Sequence, residues 1–198
     1  MDKNRLEAFS DGVLAIIITI MVLELKAPHG ADLAALKPLL PVFLSYVLSF
    51  IYIGIYWNNH HHLLKAAHRV DGTILWANLH LLFWLSLLPF ATGWMGENHF
   101  TRLPLAVYGA VLLCAAIAYK ILQHLIVRRS GVDARVAASL SRDWKGRLSP
   151  LLYACGTGAS LWLPWLGGCV YVLVALMWLI PDPRIERVVG EAEHHGHH

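Results

Sequence analysis

The side chains able to do chemistry sit in an oily setting. Asp11 stands at the mouth of an apolar run over residues 13–23, with Arg5 two turns before it. An ionisable group in such a run marks a functional or assembly site by default. Thr19 is the only polar side chain between Asp11 and Glu24. At about 100° per residue, Ile16, Ile20 and Leu23 fall within about 40° of one line, which Phe9 and Gly12 extend, while Asp11 points about 140° away from Ile16. A pore lined by this helix has a greasy wall, with the aspartate turned into the protein. Two other uses stay open at this point. Arg5 and Asp11 can form a salt bridge that only anchors the helix start, and the Thr19 hydroxyl can bond back to the Ala15 carbonyl.

Histidines supply the second set. Asn58, Asn59, His60, His61 and His62 run together, His68 follows, and Asn78 and His80 lie in a later apolar block. Imidazole suits zinc, copper and iron. Three successive histidines on a helix nevertheless point about 100° apart and cannot share one site. The run is expected to be a polar collar at a helix end. His80 and Asn78, with Asn58, Asn59 and His60 at the end of the earlier block, are polar partners that depth makes available to Asp11. His80 is expected to be a hydrogen-bonded packing histidine, with haem ligation or proton carriage as the rival. Cys114, Cys155 and Cys169 lie in apolar segments and read as small core residues.

The elements that hold these groups follow from composition. The 198 residues are 57% hydrophobic and 15% charged, too few charges to cover a soluble domain. The apolar residues form long blocks, so the fold is expected to be all-α, an integral membrane protein with six crossings. These are drawn at residues 5–25, 39–58, 72–94 (kinked at Pro89), 103–127, 148–163 and 165–180, with a polar stretch at 128–146. The last two are short, with a tight hairpin at Pro164 or a re-entrant pair as alternatives. Residues 1–183 form one domain, and 184–198 a polar, His-rich tail. The first block does not read as a cleavable signal, since Asp2, Glu7 and Asp11 precede it and no Ala-x-Ala site follows before Glu24.

Basic residues orient the drawing. With the amino terminus in the cytoplasm, Lys3, Arg5, Lys65, Arg69, Arg128, Arg129, Arg135, Arg142, Lys145, Arg147, Arg184 and Arg187 fall inside, against Lys26, Lys37 and Arg102 outside. That excess predicts both termini inside, in the cell (inner) membrane. Trp57, Trp76, Trp144 and Trp178 fall at inner ends, and Trp94, Trp162 and Trp165 at outer ends. The net charge of +3 is small and its carriers lie at helix ends, so nucleic acid is not an expected partner.

Arg5-x-x-x-Phe9-Ser10-Asp11-Gly12 resembles the opening signature of the transmembrane protein 175 family, the lysosomal and prokaryotic potassium channels. The likeness continues through Leu48-Ser49-Phe50, Trp57-Asn58-Asn59-His60-His61, Asn78-Leu79 and Ser86-Leu87-Leu88-Pro89-Phe90-Ala91-Thr92. It covers residues 3–95 well and the remainder by hydropathy alone. The resemblance implies a six-helix subunit that assembles as a homotetramer, its first helix lining a central pore. It implies potassium permeation through a hydrophobic constriction, which carries over to Ile16, Ile20 and Leu23, with Thr19 tied to selectivity. It also implies that Arg5, Phe9, Ser10 and Asp11 hold the pore helices together.

The expected function is therefore a passive potassium-permeable cation channel without a carbonyl filter, since no Thr-Val-Gly-Tyr-Gly sequence is present. Its partners are copies of itself, monovalent cations and the lipid bilayer, and it needs no cofactor beyond the permeant ion. It is not expected to be an enzyme. The alternatives are a proton pathway through His80 and Asp11, a metal or haem enzyme built on His60, His61, His62 and His80, and a structural membrane protein without transport.

Overall fold

The computed structural model describes residues 2–132, 137–138 and 143–180. Arg135, Arg142, Arg184, Arg187 and the His-rich tail lie outside the described residues. Among those described the fold is all-α.

Short polar side chains set several helix starts. Asp2 accepts a hydrogen bond from the Asn4 amide at the head of α1 (Lys3–Val22). A 3-10 turn over Leu33–Leu39 leads into α2 (Leu40–Lys65), which has Pro41 in its first turn. Asp71 accepts from the Ile74 amide to open α3 (Gly72–Ser86). Then come α4 (Leu88–Glu97) and α5 (Arg102–Arg129). Asp143 caps α6 (Trp144–Trp162) through the Gly146 amide, and Pro164 opens α7 (Pro164–Leu179). Each aspartate satisfies an orphan amide that the helix itself cannot.

The third crossing is α3 and α4 together, broken at Leu87. Pro89 has no N–H and its ring crowds the carbonyl four residues back, so the ladder is interrupted there. The second crossing runs past the expected end at 58 to Lys65, because His60, Leu63 and Leu64 remain buried and keep an apolar face on the helix. The stretches Leu33–Lys65, Gly72–Glu97 and Arg102–Arg129 are each long and apolar enough to cross a bilayer. The charged amino-terminal end of α1 and the 16-residue length of α7 keep those two below that mark. At 1.5 Å per residue the 20 residues of α1 still span about 30 Å. Counting α1, α2, α3 with α4, α5, α6 and α7, the chain makes six crossings.

Helix α5 lies against α2, α3, α4, α6 and α7, and α6 and α7 pack as a hairpin. Helix α1 rests on α2, on α3 and on α4. In lipid there is little hydrophobic drive between helices, so close packing and polar links hold them. Ser49 on α2 shares a 2.6 Å hydrogen bond with Thr92 on α4 and a 3.0 Å bond with Tyr108 on α5. The Tyr52 hydroxyl donates to the Tyr171 carbonyl on α7 at 2.6 Å.

At the Lys65 end, Arg129 Nη1 meets Asp71 Oδ2 at 3.1 Å. The Ile74 amide, and after it Arg129, hold the Asp71 carboxyl below its ordinary range. A carboxyl depressed in the folded state contributes stability above its unfolded pKa and loses it as pH falls through the folded value. Acidification below the ordinary carboxylate range is thus expected to weaken this helix end. Asp71→Asn keeps the cap, removes the charge and should flatten that part of the acid limb in a thermal-unfolding series.

Candidate functional site

Helix α1 has two faces of different character. Leu6, Ser10, Leu14, Ile17 and Met21, spaced by three and four, are buried to 4% exposure or less. On the other side Phe9, Gly12, Ile16, Thr19, Ile20 and Leu23 are exposed. Ile16 is 57% exposed, Ile20 43% and Leu23 74%. A Cβ built on Gly12 meets nothing within 4 Å. The subunit therefore presents a continuous apolar stripe that none of the described helices covers.

The buried face is fixed by a chain of polar groups. The Ser10 hydroxyl donates to the Leu6 carbonyl at 2.8 Å and accepts from Asn78 Nδ2 at 2.9 Å. Its proton being committed, the asparagine must donate, which leaves Asn78 Oδ1 facing His60 Nε2 at 2.6 Å. The amide oxygen can only accept, so His60 carries its proton on Nε2. Ser10, Asn78 and His60 are all buried and tie α1, α3 and α2 together. Asn78→Leu breaks both links. Hydrogen bonds between membrane helices average about 0.6 kcal/mol, so the expected loss is about 1 kcal/mol, read as a lower thermal midpoint in detergent.

The other predicted network residues are placed differently. Asp11 is exposed, with one carboxylate oxygen accepting from Trp57 Nε1 on α2 at 3.0 Å. One edge of the carboxylate is thus held by the bundle, and the expectation that it is turned fully into the protein is corrected. Arg5 is exposed and forms no ion pair with Asp11, because six residues put the two about 120° of helix apart. Phe9 lies on the exposed face. His80 does not join Asn78 or reach Asp11. Two residues along α3 turn it about 200° away, and its Nε2 instead accepts from Trp84 Nε1 at 2.9 Å.

Thr19 does bond back, to the carbonyls of Ala15 at 3.1 Å and Ile16 at 3.0 Å. With the proton spent on the backbone, the oxygen lone pairs remain on the exposed side. Back-bonding and an outward acceptor role coexist in one side chain.

Of the histidine run, His60 turns inward and the His61 ring stacks on Trp57 at 6.1 Å. Among the described residues no three histidine, cysteine or acidic side chains stand close enough to hold one metal ion. Sequence reasoning named His60 and Asn59 only as available partners and missed Trp57 as a donor. The missed signal is a stripe on α2: Ser45, Ser49, Tyr52, Tyr56 and His60 recur at three- and four-residue spacing, and all five are buried.

A six-crossing helical membrane protein, with its first helix anchored by a buried polar chain and bare on the opposite side, has the form of a channel subunit. A family profile described as the endosomal/lysosomal potassium channel TMEM175 matches residues 5–89. A potassium channel of Chryseobacterium is 55% identical over 191 residues, covering 96% of this chain and all of the relative. One from Streptomyces collinus is 35% identical over 157 residues, covering 75% of this chain and 76% of the relative. The crystal structure of a lysosomal potassium-selective channel TMEM175 homologue from Chamaesiphon minutus superposes with a TM-score of 0.80 at 29% identity, covering 90% of this chain and 96% of that one. The chain belongs to the TMEM175 family.

Proposed function

We propose that the protein is a passive potassium-permeable cation channel, a homotetramer in which four copies of α1 surround the permeation path. The observation that carries this reading is the bare stripe of Ile16, Ile20 and Leu23, which no described helix of the subunit covers. Supporting it, two close relatives are named as potassium channels. Rings of these residues make a narrow, dry constriction that an ion crosses by shedding water. Potassium is more weakly hydrated than sodium and passes at lower cost, and the same ring gates by dewetting. Thr19 adds a ring of hydroxyl oxygens, oriented by the backbone, that can replace part of the lost hydration shell. Ser10, Asn78 and His60 position the helix, Asp11 is held through Trp57, and Arg5 and Phe9 lie on the face available to a neighbouring copy.

The excess of basic residues at the Lys65 end supports a reading in which that end and both termini face the cytoplasm, in the cell (inner) membrane. No catalytic step or cofactor is required. Flux of potassium against sodium in reconstituted liposomes, with oligomer mass measured on the same sample, tests the reading. Faster potassium flux from a tetramer is expected. Flux driven by a pH gradient without potassium would assign a proton pathway instead, and absence of flux from a well-formed oligomer would overturn the proposal.

A further inference from the structure

Away from the α1 stripe, at the end of the bundle marked by Arg128 and Arg129, α2, α5, α6 and α7 line a pocket with an open mouth. Its walls are mostly apolar: Ile55, Ala116, Trp178 and the tyrosine rings. Two hydrogen-bond donors in it are poorly served. Tyr56 is only 9% exposed and lines the cavity, and its hydroxyl has no hydrogen-bond partner among the described residues, whereas those of Tyr52 and Tyr119 do. Tyr119 donates to the Asn59 carbonyl at 3.2 Å and Tyr52 to Tyr171. Lys120 reaches into the same space, with its Nζ 3.8 Å from Asp143 Oδ2, too long for a hydrogen bond. Asp143 uses its other oxygen to cap α6.

The backbone is shaped around that ammonium. A Cβ on Gly146 would stand 2.6 Å from Lys120 Nζ and against Asp143 Oδ2. Any side chain at 146 would therefore push the lysine out. The Tyr56 hydroxyl is free to donate, and the Lys120 ammonium keeps donors that its 3.8 Å pair with Asp143 leaves unused. Arg147, next after Gly146 along α6, stands near enough to Lys120 to act on it electrostatically. The complement is an anion with acceptor oxygens and an apolar body, entering between membrane-crossing helices. Basic pockets of this kind between helices take lipid head groups.

We propose that this cavity binds the phosphate head of an anionic phospholipid from the adjoining leaflet, with Lys120 and the Tyr56 hydroxyl as its donors. The site is separate from the conduction path and does not depend on the ion carried.

The test uses full-length protein exchanged from lipid-free detergent into phosphatidylcholine alone, phosphatidylcholine with phosphatidylglycerol, or phosphatidylcholine with inorganic phosphate. Retained lipid per subunit is read by native mass spectrometry, and the thermal midpoint by tryptophan fluorescence. Phosphatidylglycerol is expected to be retained and to raise the midpoint, while free phosphate does neither. Tyr56→Phe, Lys120→Met and Gly146→Ala should each weaken phosphatidylglycerol binding about tenfold, the scale of one charge-assisted hydrogen bond. Arg128→Gln, at the exposed end of α5, should leave it within about twofold, as expected of a surface charge. If Lys120→Met does not fold, Tyr56→Phe decides alone, because it removes one oxygen and nothing else. The proposal is overturned if Tyr56→Phe binds like the parent, if Arg128→Gln loses as much as the cavity variants, or if inorganic phosphate raises the midpoint as the lipid does.

Discussion

Ile16→Asn, present in every subunit, is expected to raise single-channel conductance and to lower the potassium-to-sodium permeability ratio about tenfold, a change of about 1.4 kcal/mol in the difference between the two barriers. Ile16 stands 57% exposed on a helix whose opposite face is sealed, so an amide there stays out of the core and, in the proposed channel, meets the path. A ring of amides holds water where the isoleucines exclude it, and a wetted ring discriminates little. The adjacent residue provides the control. Ile17 is 4% exposed, packed into the bundle, and about 100° round the helix. Ile17→Asn should lower the yield of folded protein without a new conductance. Bilayer recordings in mixed potassium and sodium check both, and an unchanged permeability ratio in Ile16→Asn sinks the assignment.

Gly109→Ala is expected to lower stability by about 1–3 kcal/mol, the usual cost of overfilling a packed site. A Cβ at 109 collides with the Tyr171 hydroxyl and stands 2.6 Å from Thr157 Oγ1. Three helices, α5, α6 and α7, meet at that point, and Tyr171 is fully buried and cannot swing aside. Gly158→Ala on α6 is the matched comparison, since a Cβ there meets nothing within 4 Å. Thermal midpoints in the same detergent should separate the two. Equal midpoints would show that Tyr171 finds another place at little cost.

Much of the architecture was legible because the bilayer imposes its period on the chain. Apolar blocks must cross it and charges must stay at its surfaces, so six crossings could be drawn from residue types alone. The break at Leu87 followed from Pro89, and the exposed line of Ile16, Ile20 and Leu23 from the turn of a helix. Individual contacts were less legible, for a physical reason. Depth along two helices says which groups can meet, but not which way each helix is rotated. Asn78 and His80 share a depth, and only Asn78 faces α1. Asp11 found an indole on α2 in place of a histidine on α3, because Trp57 has a donor at the same level and a longer reach. The polar stripe of α2 was readable as spacing, yet it was hidden inside a mean hydropathy high enough to look uniform.

The divided third crossing has a mechanical result. Helix α1 leans on α3 over one part of its length and on α4 over another, and those supports are separate rods that meet at Leu87. Glu24, just past the carboxyl-terminal end of α1, lies against Gly93 of α4, whereas Ser10 is tied to α3. The neighbourhood of Leu23 is therefore braced by one rod and the footing near Ser10 by the other. The two ends of the first helix do not have to move as one piece.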